Sequence, residues 1–290
     1  MLTTDNQLIR LSQGQLNLLE TCPRKFQHTH LEHLNSPSDP DHTDKLTLGS
    51  RFHLLMQQQE MGLPIDSFLQ ADTQLQNWMS GFANAAPEIL TPATDRQIFR
   101  ESEHYRTLQF QDYLLTVIYD LLIADHQQAQ ILDWKTYPKP PDKRKLAQNW
   151  QTRLYMYVLA ETSQYSPENI SMTYWFVQSQ GKPQNIQFSY SNNLHVQTAK
   201  KLHQLLGQLT QWLNSYQQGT LFPQVPVNSK ACDYCQFAKK CDGLRPTIGD
   251  RLLPTIGHKL NSSESNSLEI TAPAINKSFP ALDAIEEVSL

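Results

Sequence analysis

Two groups of residues in this 290-residue chain are spaced for chemistry. The first lies in YDLLIADHQQAQILDWKT, which carries Asp120, Asp133 and Lys135. In a strand, residues two apart share a side, so Asp133 and Lys135 should point one way and Leu132 and Trp134 the other. Asp120 closes the apolar run LLTVIYD, and a hairpin would bring its carboxylate beside Asp133. Two carboxylates with an amine suit phosphodiester hydrolysis assisted by Mg²⁺ or Mn²⁺. The acids hold the cation, the cation acidifies a water and screens the phosphate, and the amine orients the nucleophile or stabilises developing charge. Two further segments fit this scheme. Gln151 and Tyr155 in QTRLYMY are four apart and share a helix face. His53 in LGSRFHLLM follows Gly49 by four residues on a predicted helix, and an imidazole among oxygen ligands favours Mn²⁺.

The second group is the cysteines. Cys22 stands alone near the start, whereas Cys232, Cys235 and Cys241 crowd into CDYCQFAKKC, and no fifth cysteine exists. A C-x2-C-x5-C run supplies three ligands of a metal site that needs a fourth, and Cys22 is the one candidate. Such a site would tie the two ends of the fold together. Arg24, Lys25, Lys239 and Lys240 flank the sulfurs and would favour thiolates. On residue chemistry alone both a structural zinc and an iron–sulfur cluster suit these ligands.

Four cysteines could also form two disulfides, but those belong mostly to small secreted domains. The start MLTTDNQLIRL lacks the pattern of a secretory signal. The longest apolar run, Tyr113 to Tyr119, is broken by Thr116 and is too short to cross a bilayer. These features lead us to expect a cytoplasmic protein with reduced thiols and no membrane segment.

Hydrophobic period organises the rest. From Pro246 onward Ser, Asn, Pro and Thr are scattered without period, so residues 1–245 should form one domain and 246–290 a disordered tail. Helical spacing marks Ser12 to Glu32, with Pro23 as a break, then Leu48 to Met61 and Phe68 to Ala85. The period changes to two over Arg96 to Phe110, Asp112 to Ala124 and Gln130 to Thr136. Leu146 to Ala160 returns to helix, with Trp150 and, earlier, Phe26 assigned to the core. Ile170 to Gln178 and Asn185 to Tyr190 follow as strands, and Leu194 to Gln217 as a long helix. Helices, three strands, a helix and more strands predict an α/β fold with a mixed central sheet flanked by helices.

The order of these features resembles the RecB-type branch of the PD-(D/E)XK nucleases, in particular AddB-like and CRISPR-adaptation nucleases with iron–sulfur cysteines. The likeness runs from the CPRKF cysteine through Gly49-x3-His53, Asp120, Asp133-x-Lys135 and Gln151-x3-Tyr155 to the cysteine trio, about Ser12 to Asp242. It implies a restriction-endonuclease-like core and a metal-dependent DNA exonuclease acting in repair, recombination or CRISPR adaptation, with helicase, repair or CRISPR proteins as possible partners. It implies that His53, Asp120, Asp133 and the Trp134 carbonyl hold Mg²⁺ or Mn²⁺, that Lys135 is catalytic, and that Gln151 and Tyr155 support the site and the DNA. Cys22, Cys232, Cys235 and Cys241 would hold a [4Fe–4S] cluster. Glu103 falls where the family often has an acid, with Glu101 as its competitor. Val117 stands where the family usually has glycine, three residues before the first metal-binding aspartate.

That departure keeps a rival in view: a catalytically weak or inactive DNA-binding subunit of a helicase–nuclease assembly. A zinc-bound scaffold is another. The sequence pI of about 6.2 does not advertise a nucleic-acid binder. Distribution matters more than the total. Lys135, Lys139, Lys143, Arg144, Lys145 and Arg153 cluster after the catalytic strand, with Lys182, Lys200 and Lys201 later, and would form a local basic rim.

Overall fold

The computed structural model describes residues 8–34, 40–91, 98–178, 182–226, 229–233 and 235–242. The tail expected from Pro246 lies outside the described residues. Six strands form one mixed sheet: β1 (Ile9–Leu11), β2 (Phe99–Phe110), β3 (Tyr113–Ala124), β4 (Ala129–Lys135), β5 (Ile170–Phe176) and β6 (Gln184–Ser189). Strand β2 runs antiparallel along nearly all of β3. A strand has two edges, so β1 and β4 must share the other edge of β3. They do so at opposite ends: β1 pairs in parallel with residues 113–115, and β4 antiparallel with residues 121–124. The stretch of β3 between these two ladders contains Asp120. Strand β5 then adds parallel to β4, and β6 antiparallel to β5.

Helices cover both faces, which gives the expected α/β sandwich with a mixed sheet. One core gathers Leu16 and Leu19 from α1 (Gln13–Thr21), Leu154 and Val158 from α8 (Trp150–Glu161), and Leu202 and Leu206 from α9 (Asn192–Gln217). These pack on Leu115, Val117, Tyr119 and Ile131 of the sheet, with Phe26 and Trp150 buried among them. The other core joins Phe52 and Met56 of α3 (Pro40–Glu60) and Trp78 and Phe82 of α5 (Thr73–Ala85) to Leu132, Trp134 and Trp175.

Several boundaries differ from those read in the sequence, each for a local reason. Pro23 starts a second turn, α2 (Pro23–Phe26), which runs on as a π turn, Gln27–Leu31. The helix expected over Phe68 to Ala85 is two, α4 (Asp66–Ala71) and α5. Asp72 ends the first in extended backbone and caps the second, its carboxylate accepting from the N–H groups of Gln74 and Leu75. Asn149 likewise separates α7 (Lys143–Gln148) from α8, capping the latter through Gln151 N–H. The three-residue β1 is too short for a period of two to show, and tertiary pairing with β3 makes it. The short helix α6 (Pro87–Leu90) begins on a proline at its first turn.

Phe82 seats α5 on the sheet. Its ring meets Trp134 at 5.3 Å and Trp175 at 5.2 Å, both edge-on, the arrangement aromatic quadrupoles favour. Phe82→Ala should therefore cost about 3–5 kcal/mol, measured by urea unfolding; a loss below about 1 kcal/mol would show that this contact does not hold the layer.

Candidate active site and cysteine centre

The β3–β4 ladder ends at Leu121 opposite Leu132. Its continuation would face Asp120 with Asp133, so the hairpin brings the two aspartates to the place where the strands part. Beyond that point the Trp134 N–H has no ladder partner on β3. It donates instead to Asp120 Oδ2 at 2.6 Å. The side chain thus satisfies a buried backbone donor that the sheet has released. Side-chain alternation on β3 also breaks here. Leu115, Val117 and Tyr119 join one core, Leu121 the other, and Leu122 and Ala124 the first again.

The opposing strand is irregular at the matching position. Glu103 would pair with Asp120, but its φ is +51°. This left-handed conformation is costly for a residue with a Cβ and persists only where its surroundings impose it. It places the Glu103 carboxylate with His53 and Asp120, ligand atoms of the three lying within 4.8 Å of one another. Glu101, the competitor, points away and pairs with His104 Nδ1 at 2.5 Å. The sequence carries no sign of this choice, because glutamate is not a residue that marks left-handed backbone.

His53 approaches from α3, its Nδ1 3.3 Å from Asp120 Oδ1. Gly49 explains how the helix comes so near. A Cβ at Gly49 would stand 2.9 Å from Thr136 Oγ1, one residue beyond Lys135. The Gly-x3-His spacing is therefore a close helix–strand contact followed, one turn on, by a nitrogen aimed at the gap.

Asp133 and Lys135 form an ion pair at 2.7 Å through Oδ1 and Nζ. Gln151 Nε2 donates to the other oxygen, Asp133 Oδ2, at 2.6 Å. The Lys135 ammonium also lies 5.5 Å above the Tyr174 ring. Leu132 and Trp134 point into the opposite core, as the strand period requires. Tyr155, one turn after Gln151, is 1 % exposed, and its ring packs edge-on against Tyr119 at 5.3 Å. Val117 is also buried, in the core beneath the sheet.

Asp120 and Asp133 are 4 % and 2 % exposed. Burial works to raise the Asp120 carboxyl, but His53, Lys135 and the Trp134 N–H hold it below the usual range. Burial pushes the Asp133 carboxyl up; Lys135 opposes this and the charge of Asp120 adds to it. Lys135 is held protonated, since the two carboxylates outweigh its burial. Repulsion between buried acids that only partly pair is the electrostatic setting a divalent cation relieves. The mixed oxygen and imidazole donors fit Mg²⁺ or Mn²⁺.

The cysteines lie at the first helices and in the described residues after α9, which meet through Arg24 and Phe222. Cys22 is buried between α1 and α2, and Cys241 lies on α10 (Ala238–Asp242). All four are free thiols. Arg24 donates its N–H to Pro223 O at 3.0 Å and its Nε–H to Phe222 O at 2.7 Å. Phe222 N–H in turn donates to the buried Gln27 Oε1 at 2.7 Å. His28 packs on Phe237, and its Nε2 lies 3.9 Å from Cys241 Sγ. Burial pushes the Cys241 thiol up, with Cys235, Cys22 and Cys232 adding and Arg24 opposing. The other three sulfurs are therefore within electrostatic reach of Cys241, and these soft donors fit a thiophilic metal. Gln27 and His28 had no recognised part in the sequence; a glutamine and a histidine beside a cysteine are too ordinary to signal one.

Comparison with known proteins shows the family and the fold. The family model of the PD-(D/E)XK nuclease superfamily matches residues 10–242. A crystal structure named "Putative exonuclease", from Eubacterium rectale, superposes with a TM-score of 0.51 at 12 % identity, over 86 % of this chain and 96 % of that one. The crystal structure of SSO0001 matches at 9 % identity over 83 % and 89 % of the two chains, with a TM-score of 0.36. No curated protein matches the chain.

Gly49→Ala should weaken Mn²⁺ binding about tenfold or more, since the added methyl must push α3 or Thr136 away and a 1 Å shift at a site is commonly worth more than that. Calorimetric titration checks it; unchanged affinity would separate the glycine from the site.

Proposed function

The chain belongs to the PD-(D/E)XK nuclease superfamily, and we propose that it is a divalent-metal-dependent DNA exonuclease of the RecB type, AddB-like in its cysteine clamp. The observation that carries this reading is the convergence of His53, Glu103, Asp120, Asp133 and Lys135 on the gap between β3 and β4. His53, Asp120 and Asp133 would hold Mg²⁺ or Mn²⁺ with the Trp134 carbonyl, and Glu103 joins them. The cation supplies a water of lowered pKa and screening of the phosphate.

The chain's own groups do the rest. Gln151 fixes the Asp133 carboxylate so that one oxygen faces Lys135. Lys135 keeps its proton and stabilises negative charge that grows on the phosphate oxygens. Hydrolysis adds one water across one phosphodiester bond and releases the leaving oxygen as a hydroxyl. The depth of the aspartates favours a free or frayed strand end over an intact duplex, and the Eubacterium rectale neighbour is itself named an exonuclease. Cytoplasmic work in repair, recombination or CRISPR adaptation, beside a helicase or CRISPR partner, fits a DNA-end nuclease. Among the described residues no helix is long and apolar enough to cross a membrane.

Cys22, Cys232, Cys235 and Cys241 would hold a structural [4Fe–4S] cluster, clamping the first helices to the last. Four thiolates would suit zinc as well, and it is the likeness in motif order to iron–sulfur nucleases that favours the cluster.

Anaerobically purified protein should contain about four irons per chain and shorten linear, end-labelled DNA in Mn²⁺ while sparing circular single strands. Zinc in place of iron would remove the cluster, and equal cutting of circles would remove the exonuclease assignment. Lys135→Ala and Asp133→Asn should each lower the rate by about 10³-fold or more, the equivalent of about 4 kcal/mol, with unchanged circular dichroism. A folded variant that still cleaves would exclude that residue from catalysis. Cys232→Ser should lose absorbance in the visible and aggregate; a coloured, stable variant would rule out the clamp.

A further inference from the structure

A cluster of exposed positive charge directly follows the active-site strand, in the elbow that joins β4 to α8, TYPKPPDKRKLAQ. Lys139, Lys143, Arg144 and Lys145 are exposed, and among the described residues none of them is in an ion pair. Some cations elsewhere are paired, Arg51 with Asp72, Arg100 with Glu60, Lys201 with Glu20 and Lys240 with Glu32; the elbow is set apart by four exposed cations within seven residues. The elbow's one acid is Asp142, and its carboxylate accepts from the N–H groups of Arg144 and Lys145 at the start of α7. Four charges thus face solvent in a chain whose formal net charge is −4. Such a local field is not a by-product of composition.

The elbow is also held in place. At its root, Thr136 O accepts from Gln178 Nε2, and Thr136 Oγ1 abuts Gly49. Tyr137 follows, its ring edge-on to Phe176 at 5.4 Å. Pro138, Pro140 and Pro141 fix φ at three of the next four residues. At the far end, Lys143 Nζ lies 5.4 Å over the Phe188 ring, and Leu146 O accepts from Thr152 Oγ1 at 2.6 Å. Cations on a stiff support lose little conformational entropy on binding. Both ends of the elbow lead to the active site: Lys135 immediately precedes it, and Gln151 on α8 follows.

We infer that this elbow is a rail for the sugar–phosphate backbone of one nucleic-acid strand, carrying the part of the strand next to the bond being cut. The inference rests on the nuclease reading for its direction, but the rail itself is a binding site. Its chemistry is a run of phosphodiesters, from either DNA or RNA. Each phosphate neutralised on a single strand contributes about −0.7 to the slope of log K against log salt.

The test is fluorescence anisotropy of labelled single-stranded DNA and RNA oligonucleotides with the full chain in EDTA, across a salt series, so that binding is read without cleavage. The quadruple variant Lys139→Ala/Lys143→Ala/Arg144→Ala/Lys145→Ala should lower the slope by about 3, and each single substitution by about 0.7. Arg10→Ala, an exposed cation on β1 outside the elbow and the basic rim, should leave the slope unchanged. Loss for both polymers, or for one alone, supports the rail and names the backbone it takes. A folded quadruple variant with the wild-type slope overturns it. Wild-type protein that binds through the elbow but never cleaves in Mn²⁺ would sink the nuclease reading and leave the rail standing.

Discussion

The hydrogen bond from the Trp134 N–H to the Asp120 carboxylate is the constraint on which the site depends. A sheet must satisfy its buried backbone donors, and strands that part inside a core leave some without partners. Here β4 leaves β3 after Leu132 to continue beside β5, where Trp134 and Trp175 stay in register. The donor exposed by that parting is met by a carboxylate. The same carboxylate turns its second oxygen to His53. One side chain therefore seals the sheet and opens the site, and the two roles cannot be separated by moving Asp120 along the strand.

The flanking layers serve that gap from both faces. From one side α3 brings His53, and it can approach because Gly49 leaves room for Thr136. From the other side α8 brings Gln151 to Asp133. Glu103 comes from the far strand at the cost of a left-handed backbone. Two buried aspartates and a glutamate near one point would repel one another in a medium that screens poorly. Lys135 offsets part of this repulsion. The remainder is a standing preference for a cation, stored in the fold at the expense of stability. The segments around the cysteines face a similar demand, since raising one thiol's pKa through its neighbours is relieved when a metal takes the protons' place.

Much of this was legible in the sequence because it is local. The period of two in ILDWKT placed Asp133 and Lys135 together and sent Trp134 to the opposite core. The glycine four residues before His53 was also readable. What was not legible depends on long-range pairing. Nothing in RESEHY tells Glu103 from Glu101; the choice is made by the register of β2 on β3 and by a positive φ that glutamate does not announce. Tyr155 shared a helix face with Gln151 by spacing, but that α8 is buried around much of its circumference, with the tyrosine ring against Tyr119, shows only once the layers are packed. Asp72 and Asn149 looked like polar positions within helices. Their capping role appears only once the neighbouring turns are fixed.

Cation binding in the β3–β4 gap is tested most directly by titrating Mn²⁺ into wild-type protein and Asp120→Asn and following free Mn²⁺ by electron paramagnetic resonance. An asparagine can still accept the Trp134 N–H through its carbonyl, so the substitution removes charge while keeping the seal on the sheet. Wild type should bind Mn²⁺ and the variant should bind it about tenfold or more weakly, with its fold intact. Equal affinity in the two proteins would mean that the parted strands do not create a cation site.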